Sequence, residues 1–257
     1  MTGDPTKTTT LRRRFSVETK KRYSKLGREA QKIVTALPAD VDNLTKLDIF
    51  RHELHKVADR ELLSSTAWSE KYINTAAERG AAKGFANTAK VLKTETLEGT
   101  GAPSRRLVVA SRNNVRNNIV KLTDDALVTM ERTFMRGLAE GKNAAGIGKD
   151  VRAIVSGSRK QLKSLPVQGR KLSILKKADM LADTGIAEVY NHANIEQMQV
   201  AGIRRAIVIA ELVTAGDHRV CPVCAGLEGR RWPLEQLNGI IPVHPKCRCL
   251  AQPVAPT

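Results

Sequence analysis

The stretch Cys221-Pro-Val-Cys224, followed by nineteen residues and then His244-Pro-Lys-Cys247-Arg-Cys249, decides how the C-terminal part of the chain folds. All four cysteines of the protein lie within these 29 of 257 residues, beside one of its five histidines. Structural zinc sites use four cysteine or histidine ligands in a tetrahedron. A C-x2-C pair places two sulfurs on one tight turn, and the H-x2-C pair can form the opposing half. The spacing therefore predicts a metal cage.

Two other interpretations of the cysteines remain open, namely a disulfide and reduced buried thiols without a metal. The chain opens Met1-Thr-Gly-Asp-Pro without an apolar signal segment, which predicts synthesis in a reducing cytoplasm where disulfides are rare. Chance burial would not gather every cysteine beside a histidine. We therefore expect structural Zn²⁺, for which five candidates compete for four positions: Cys221, Cys224, His244 and Cys247, with Cys249 as the alternative ligand.

The net charge of +17 is concentrated in three stretches of the sequence. Residues 1–35 carry ten lysines and arginines against three acidic residues, residues 100–121 five against none, and residues 142–177 ten against one. Such blocks indicate contact with a polyanion, most commonly nucleic acid, although a solvated surface that maintains solubility is the alternative. The candidate contact residues are Arg12, Arg13, Arg14, Arg159, Lys160, Lys163, Arg170 and Lys171.

The kind of contact follows from the aromatic residues, of which the chain has only nine. None of them alternates with the basic clusters, whereas proteins that stack on bases need such aromatic side chains. We therefore expect any nucleic-acid contact to use phosphates and to be independent of base sequence.

Apolar periodicity predicts an α+β, mainly α protein, with helical N-terminal and central regions and a small C-terminal β and zinc-stapled cap. Residues 1–15 lack periodicity and are predicted to form a flexible basic arm, followed by an N-terminal helical region over residues 16–92. Residues 93–121 are predicted to be a linker and basic segment, and residues 122–257 the C-terminal domain. No window reaches the roughly 20 apolar residues of a membrane span, so we expect a soluble protein without a membrane contact.

Within these regions, three local patterns make more specific predictions. Thr123-Asp-Asp is typical of a helix start, and about 172–200 is expected to be the longest helix of the second half. The β-branched stretch 206–213 predicts a strand that leads into the cysteine cluster. Small residues from Ala76 to Gly84 at helical spacing predict a close helix contact, either within the protein or with a second copy.

The order of features from about residue 122 to 253 resembles the phage Mu F-like minor head proteins, also described as phage head morphogenesis proteins. The resemblance is carried by three motifs: Gly141-Lys-Asn-Ala-Ala-Gly-Ile-Gly-Lys-Asp-Val, Thr214-Ala-Gly-Asp-His-Arg-Val-Cys-Pro-Val-Cys-Ala-Gly-Leu-Glu-Gly229, and Pro242-Val-His-Pro-Lys-Cys-Arg-Cys249. The last motif is the most specific. One departure is Asp183-Thr184-Gly185 in the long helix, where many members carry Arg-Thr-Glu.

This resemblance implies a minor capsid protein of a tailed phage, present in few copies at the portal vertex and inner capsid. Its implied role is head assembly and the packaging or delivery of DNA, within the virion and, during assembly, in the host cytoplasm. The implied partners are the portal protein, a major capsid or scaffolding protein and packaged double-stranded DNA, with a homo-oligomer at the portal vertex as a further option. We expect no enzymatic activity.

The alternative function is a zinc-stapled DNA-binding protein or a nuclease that acts on phage DNA. His218 beside the C-x2-C pair and the later His244 superficially resemble a zinc-stapled nuclease core. Hydrolysis would need a catalytic metal with further histidine or carboxylate ligands and a general base, and no H-x-H or H-N-H constellation remains. A DNA-binding regulator would need a recognition helix after the knuckle, and none is recognisable.

Overall fold

The computed structural model describes residues 6–64, 67–93, 101–157, 172–202 and 209–254. In chain order the elements are α1 (Thr9–Ala36), α2 (Asn43–Ala58), a π-helical turn (Asp59–Leu63), α3 (Ala67–Leu92), α4 (Arg105–Ala139), α5 (Ala144–Ser156), α6 (Ile174–Gly202), β1 (Ile209–Val213), α7 (Pro222–Ala225), β2 (Arg231–Pro233), α8 (Leu234–Ile240) and β3 (Leu250–Pro253). The predicted α+β, mainly α class is confirmed. Across the described ranges, no helix has the length and apolar character needed to cross a membrane.

Two compact units make up the protein, and each is assembled from separate stretches of chain. Unit 1 comprises residues 1–15, 67–115 and 182–257, and unit 2 comprises residues 16–66 and 116–181. The predicted succession of an arm (1–15), a helical region (16–92), a linker (93–121) and a C-terminal domain (122–257) does not match this division. The reason is that α1, α4 and α6 each contribute residues to both units.

Unit 2 is a helical body whose core comes from α1, α2, α4, α5 and the start of α6. The rings of Phe50 and Phe134 stack with their centroids 4.5 Å apart. Tyr23 is fully buried and donates its hydroxyl to the Ile119 carbonyl over 3.2 Å, and burial raises the pKa of this phenol. At the start of α2, the Asp42 carboxylate accepts hydrogen bonds from the backbone N–H groups of Leu44 and Thr45 and so caps the helix.

The prediction of a flexible arm over residues 1–15 is wrong for the part that the structure describes, because α1 already begins at Thr9. Leu11 and Phe15 are buried on one face of this first turn, and Arg12 is also buried, with 5% of its surface exposed. Phe15 stacks on Tyr72 of α3 with the ring centroids 5.0 Å apart. Arg13 and Arg14 remain exposed, as predicted for contact residues.

The predicted linker is wrong over residues 105–121, and so is the predicted helix start at Thr123, because α4 runs without a break from Arg105 to Ala139. Residues 94–100 of the predicted linker lie outside the described residues. Thr123, which resembles a helix cap in the sequence, lies in the middle of α4. Its hydroxyl bonds to the carbonyl of Ile119 one turn earlier, over 2.8 Å. This back-bonding is a known alternative to capping for threonine. The other helices expected from periodicity, α2, α3, α5 and α6, are confirmed.

Unit 1 contains an unusually close contact between α3 and α6. A Cβ atom built on Gly80 would lie 2.1 Å from the carbonyl oxygen of Tyr190, and one on Gly84 would lie 2.3 Å from that of Asn194. Only glycine therefore fits at either position. The stripe of small residues in α3 serves a contact within the protein, which is one of the two options predicted from the sequence.

The small sheet of unit 1 is antiparallel with strand order β2-β1-β3. Ala210 and Leu212 of the central strand are fully buried, whereas Ile209 is 43% exposed, so β1 alternates as a half-buried strand should. The strand prediction is confirmed over residues 209–213, and residues 206–208 lie outside the described residues. Ile195 and Met198 of α6 pack in the same apolar cluster as the sheet and three of the cysteines.

Candidate metal centre

The first half of the site is a tight knuckle between β1 and β2. Cys221 has an extended backbone and caps the four-residue helix α7, with Pro222 in its first turn. The backbone N–H of Cys224 donates to the Cys221 sulfur over 3.3 Å. This bond turns both sulfurs to the same side, with Cys221 half-buried and Cys224 buried.

The second half lies between α8 and β3. The N–H of Cys247 donates to the carbonyl of His244 over 3.0 Å, which closes a turn that contains Lys246 at a φ of 66°. The N–H of Cys249 donates in turn to the Cys247 sulfur over 3.5 Å. Cys247 and Cys249 are 1% and 3% exposed, so this half of the site is closed to solvent.

The two halves meet around Cys224. The His244 Nε2 atom lies 3.1 Å from both the Cys221 and the Cys224 sulfur, and the Cys224 sulfur lies 3.9 Å from that of Cys247. Tetrahedral zinc with bonds of about 2.3 Å separates two sulfurs by about 3.8 Å. The separation of the Cys224 and Cys247 sulfurs matches this value, and the predicted Cys/His cluster could hold a metal ion.

Five donors compete for this ion, as expected from the sequence. They form two groups with all donor atoms within 4.8 Å of one another, namely Cys221, Cys224 and His244, and Cys224, Cys247 and Cys249. Cys224 belongs to both groups. Either group could supply three ligands to a metal ion. All four thiols are free of disulfides.

The thiols differ in acidity before any metal binds. The backbone N–H of Cys224 lowers the pKa of the Cys221 thiol, and a hydrogen bond from the Cys249 thiol lowers the pKa of Cys247 to about 5. Burial raises the pKa of Cys224 to about 12, and the bond to Cys247 followed by burial raises the pKa of Cys249. Each half of the site therefore contains one thiol whose pKa is lowered, and the thiolate is the form that binds metals.

Side chains of α6 hold the backbone of the second half in place. The Lys246 N–H donates to the Thr184 hydroxyl over 3.2 Å, and the Asn191 and Asn194 amides donate to the carbonyls of Cys249 and Ala251 over 3.1 and 2.8 Å. Thr184 thus directly supports the loop between His244 and Cys247. Sequence reasoning missed the two asparagines, although polar residues inside the otherwise apolar stripe of α6 were a visible signal.

Asp217 and Arg248 connect the two halves independently of any metal. Two guanidinium nitrogens of Arg248 lie 2.6 Å from the two carboxylate oxygens of Asp217, and both side chains are mostly buried. Arg219 adds a longer contact of 3.3 Å to the same carboxylate. The Arg248 guanidinium holds the pKa of Asp217 well below its usual range. Both arginines therefore pair with an acidic residue.

We expect Asp217→Asn to lower the melting temperature of the metal-loaded protein at neutral pH. The pKa of this carboxyl is lowered by folding, so its contribution is complete above the unfolded value of about 4 and is lost as the pH falls through the folded value. Differential scanning calorimetry at neutral pH measures the change. Glu211→Gln is the matched control, because the Glu211 carboxylate lies 4.0 Å from Arg231. Equal melting temperatures for both variants would contradict a role for the Asp217 pair.

A cavity of about 30 Å³ lies at the cluster and is lined by four of the donors, Cys221, Cys224, His244 and Cys249, together with residues that include Thr214. That volume holds one or two water molecules. His218 is exposed in a turn and belongs to neither group of donors within the described residues.

The predicted contact residues have different positions. Arg12 points inward and bonds to the Cys247 carbonyl, so it is not available to a polyanion, whereas Arg13 and Arg14 are exposed on α1. The remaining candidates lie outside the described residues: Arg159, Lys160, Lys163, Arg170 and Lys171.

Comparison with known proteins yields no relative for this chain. No protein-family model, no curated protein and no solved structure matches it.

Proposed function

We propose that the chain is a non-catalytic structural protein whose C-terminal module is closed by a zinc ion. The observation that carries this proposal is the convergence of five sulfur and imidazole donors on Cys224, with space beside them for one or two waters. Four protein ligands would leave zinc without an open position for substrate or activated water. When bound, the ion would act as a cross-link between the knuckle and the loop that precedes β3.

More particularly, we propose a minor head protein of a tailed phage, similar to the Mu F-like proteins and located at the portal vertex and inner capsid. Three motifs support this assignment, and the last of them supplies His244, Cys247 and Cys249 to the candidate centre. The positive charge suits a position next to packaged DNA. The portal protein and a major capsid or scaffolding protein are the proposed protein partners.

Zinc is the proposed metal because the donors are thiols and an imidazole. Magnesium and calcium select oxygen ligands, whereas zinc favours a tetrahedron of sulfur and nitrogen. Each half of the site has a backbone N–H directed at a sulfur, at Cys221 and at Cys247. Such bonds favour the thiolate that zinc requires.

The particle itself provides the test of this function. Phage particles that encode the chain would be purified, and the chain quantified by mass spectrometry against the portal protein in empty and in filled heads. A fixed low ratio to portal in both kinds of head is the expected result. Presence only before filling would indicate an assembly factor instead, and absence from all particles would favour the nuclease or DNA-binding alternative.

We assign the proposed contact with DNA to a surface of unit 2 that we call the α1 basic face. It consists of Lys21, Lys25, Arg28, Lys32 and Arg152. The first four are exposed and recur at spacings of four, three and four residues on one side of α1, and Arg152 of α5 bonds to Gln31 beside them over 3.1 Å. From Lys21 to Lys32 the face extends about 16 Å, over which a duplex carries roughly nine phosphate charges.

The strongest contributions are expected from Lys21 and Arg28. Lys25 and Lys32 pair with Glu61 and Glu29 over 2.8 and 2.9 Å. For Lys21 and Arg28, in contrast, the described part of the chain offers no ion-pair partner. Their charges are therefore available to phosphate without breaking an existing pair.

We expect Lys21→Ala with Arg28→Ala to weaken binding to duplex DNA equally for all sequences. The slope of the logarithm of affinity against the logarithm of salt concentration should fall by about 2, since each lost phosphate contact removes about 0.9. Fluorescence anisotropy over a series of salt concentrations measures both quantities. Lys121→Ala with Arg132→Ala removes the same two charges from exposed positions of α4 and serves as the control. An equal loss of DNA affinity in both variants would show that the effect depends on net charge alone. It would contradict binding at the α1 basic face.

A further inference from the structure

The first residues of the described chain lie against the last part of the candidate metal centre. Arg12 of α1 donates from Nη1 to the carbonyl oxygen of Cys247 over 2.9 Å, although the two residues are 235 positions apart in the sequence. Its Nε atom donates to the Thr8 hydroxyl over 2.7 Å, and its Nη2 atom to the Thr6 hydroxyl over 3.3 Å. One guanidinium thus joins the N-terminal segment to a candidate ligand.

The Arg12 side chain is buried, and its hydrogen-bonding groups are satisfied. A buried guanidinium is costly unless its donors are bonded, and Arg12 is 95% buried with three of its nitrogens satisfied. The Thr6 and Thr8 hydroxyls are themselves buried and lie 2.7 Å apart, within hydrogen-bonding distance. This bond helps to hold two of the three acceptors of Arg12 in place. The Nε and Nη2 atoms reach the two adjacent hydroxyls while Nη1 reaches the Cys247 carbonyl, which suits a planar fork and not a single ammonium group.

We propose that Arg12 is a positioning residue of the metal centre, and that residues 6–12 form part of that centre. Its bond to the Cys247 carbonyl fixes the backbone from which the Cys247 sulfur projects. Removing this bond frees the loop on the side that α6 does not hold. The inference rests on the proposed metal binding and goes beyond it, because no ligand is altered.

The proposal predicts weaker metal binding when Arg12 is changed. We expect Arg12→Met to raise the dissociation constant for Zn²⁺ by about 10-fold or more, as is usual when a residue that orients a ligand is lost. Arg12→Lys should behave similarly, because one ammonium cannot reach three acceptors. Arg13→Met is the matched control, since it removes the same group from the neighbouring exposed position of α1 and should bind as the unmodified protein does.

The measurement is a titration of the full metal-free chain with Co²⁺ followed by Zn²⁺ competition. Co²⁺ reports its ligands through the thiolate charge-transfer and d–d bands, and a general loss of stability would not change those bands in folded protein. Far-UV circular dichroism identifies the folded samples. If Arg12→Met does not fold, Thr8→Val removes the 2.7 Å acceptor, keeps Arg12, and should give a smaller shift in the same direction.

Two results would overturn the proposal. Unchanged Zn²⁺ affinity and Co²⁺ bands in folded Arg12→Met, or in Thr8→Val where the former does not fold, would show that Arg12 does not position a ligand. An equal loss in Arg13→Met would assign the effect to charge alone. Failure of the unmodified protein to bind either metal would instead overturn the proposed zinc site, and the inference with it.

Discussion

Replacement of Cys224 by serine is expected to abolish metal binding and to unfold the C-terminal module, residues 209–254. Cys224 is the one donor common to both groups of candidate ligands, and it is buried among the apolar residues that hold the sheet. Binding of structural zinc contributes on the order of 10 kcal/mol to the folding of small modules of this kind. Metal content per chain, measured by mass spectrometry, should fall from one ion to none.

Hydrogen exchange would locate the damage. Unit 2 contains none of the five donors, so peptides from residues 16–64 and 116–157 should stay protected in Cys224→Ser while those from 209–254 exchange. Cys249→Ser is the matched control, because it removes a buried thiol that is needed only if Cys247 is not the fourth ligand. Unchanged metal content and thermal melting in Cys224→Ser would contradict the metal assignment.

The second large effect is expected from Gly80→Ala combined with Gly84→Ala. Each added methyl group would meet a backbone carbonyl at 2.1 or 2.3 Å, far inside contact distance, and a carbonyl of α6 cannot rotate away as a side chain can. Each substitution should therefore lie at or above the upper end of the roughly 1–3 kcal/mol typical of overpacking. The gain of about 1 kcal/mol in helix propensity is too small to compensate.

Urea denaturation measures this loss as a lower midpoint. The displacement of α6 should also reach β3, which follows the candidate ligands, because Asn194 both forms the contact with Gly84 and donates to the Ala251 carbonyl. Gly185→Ala is the control, since its methyl group would meet Val115 at an ordinary 3.4 Å and should leave stability equal or slightly higher. A double variant as stable as the unmodified protein would contradict the close approach of α3 and α6.

The sequence predicted those features that depend on neighbours along the chain. Apolar spacing located α2, α3, α5 and α6, and cysteine spacing located the donor cluster. It failed where a distant partner changes the meaning of a residue. The sequence alone assigns Arg12 to a basic arm, whereas the structure shows that it bonds to the distant Cys247 carbonyl. Thr123 has the sequence of a helix cap, but α4 begins 18 residues before it.

The supports of the candidate centre show the same limit. Asn191 and Asn194 hold the carbonyls of Cys249 and Ala251, and Asp217 holds Arg248. The apolar stripe of α6 marks the two asparagines as exceptions, but it does not indicate which groups they bind. Such contacts are set by tertiary packing, which a single sequence does not reveal. The division into two units was hidden for a related reason, because three helices pass from one unit to the other.

The interleaving of the two units sets an order of events on the ribosome. All of unit 2 is translated by residue 181, whereas unit 1 needs the beginning, the middle and the last third of the chain. All residues of unit 2 are therefore available to fold before the loop around Cys247, which Arg12 contacts, has been synthesised. If the proposed metal site forms, metal uptake would follow the folding of unit 2, and a chain interrupted before Cys247 would contain every residue of unit 2 but lack the carbonyl that Arg12 contacts.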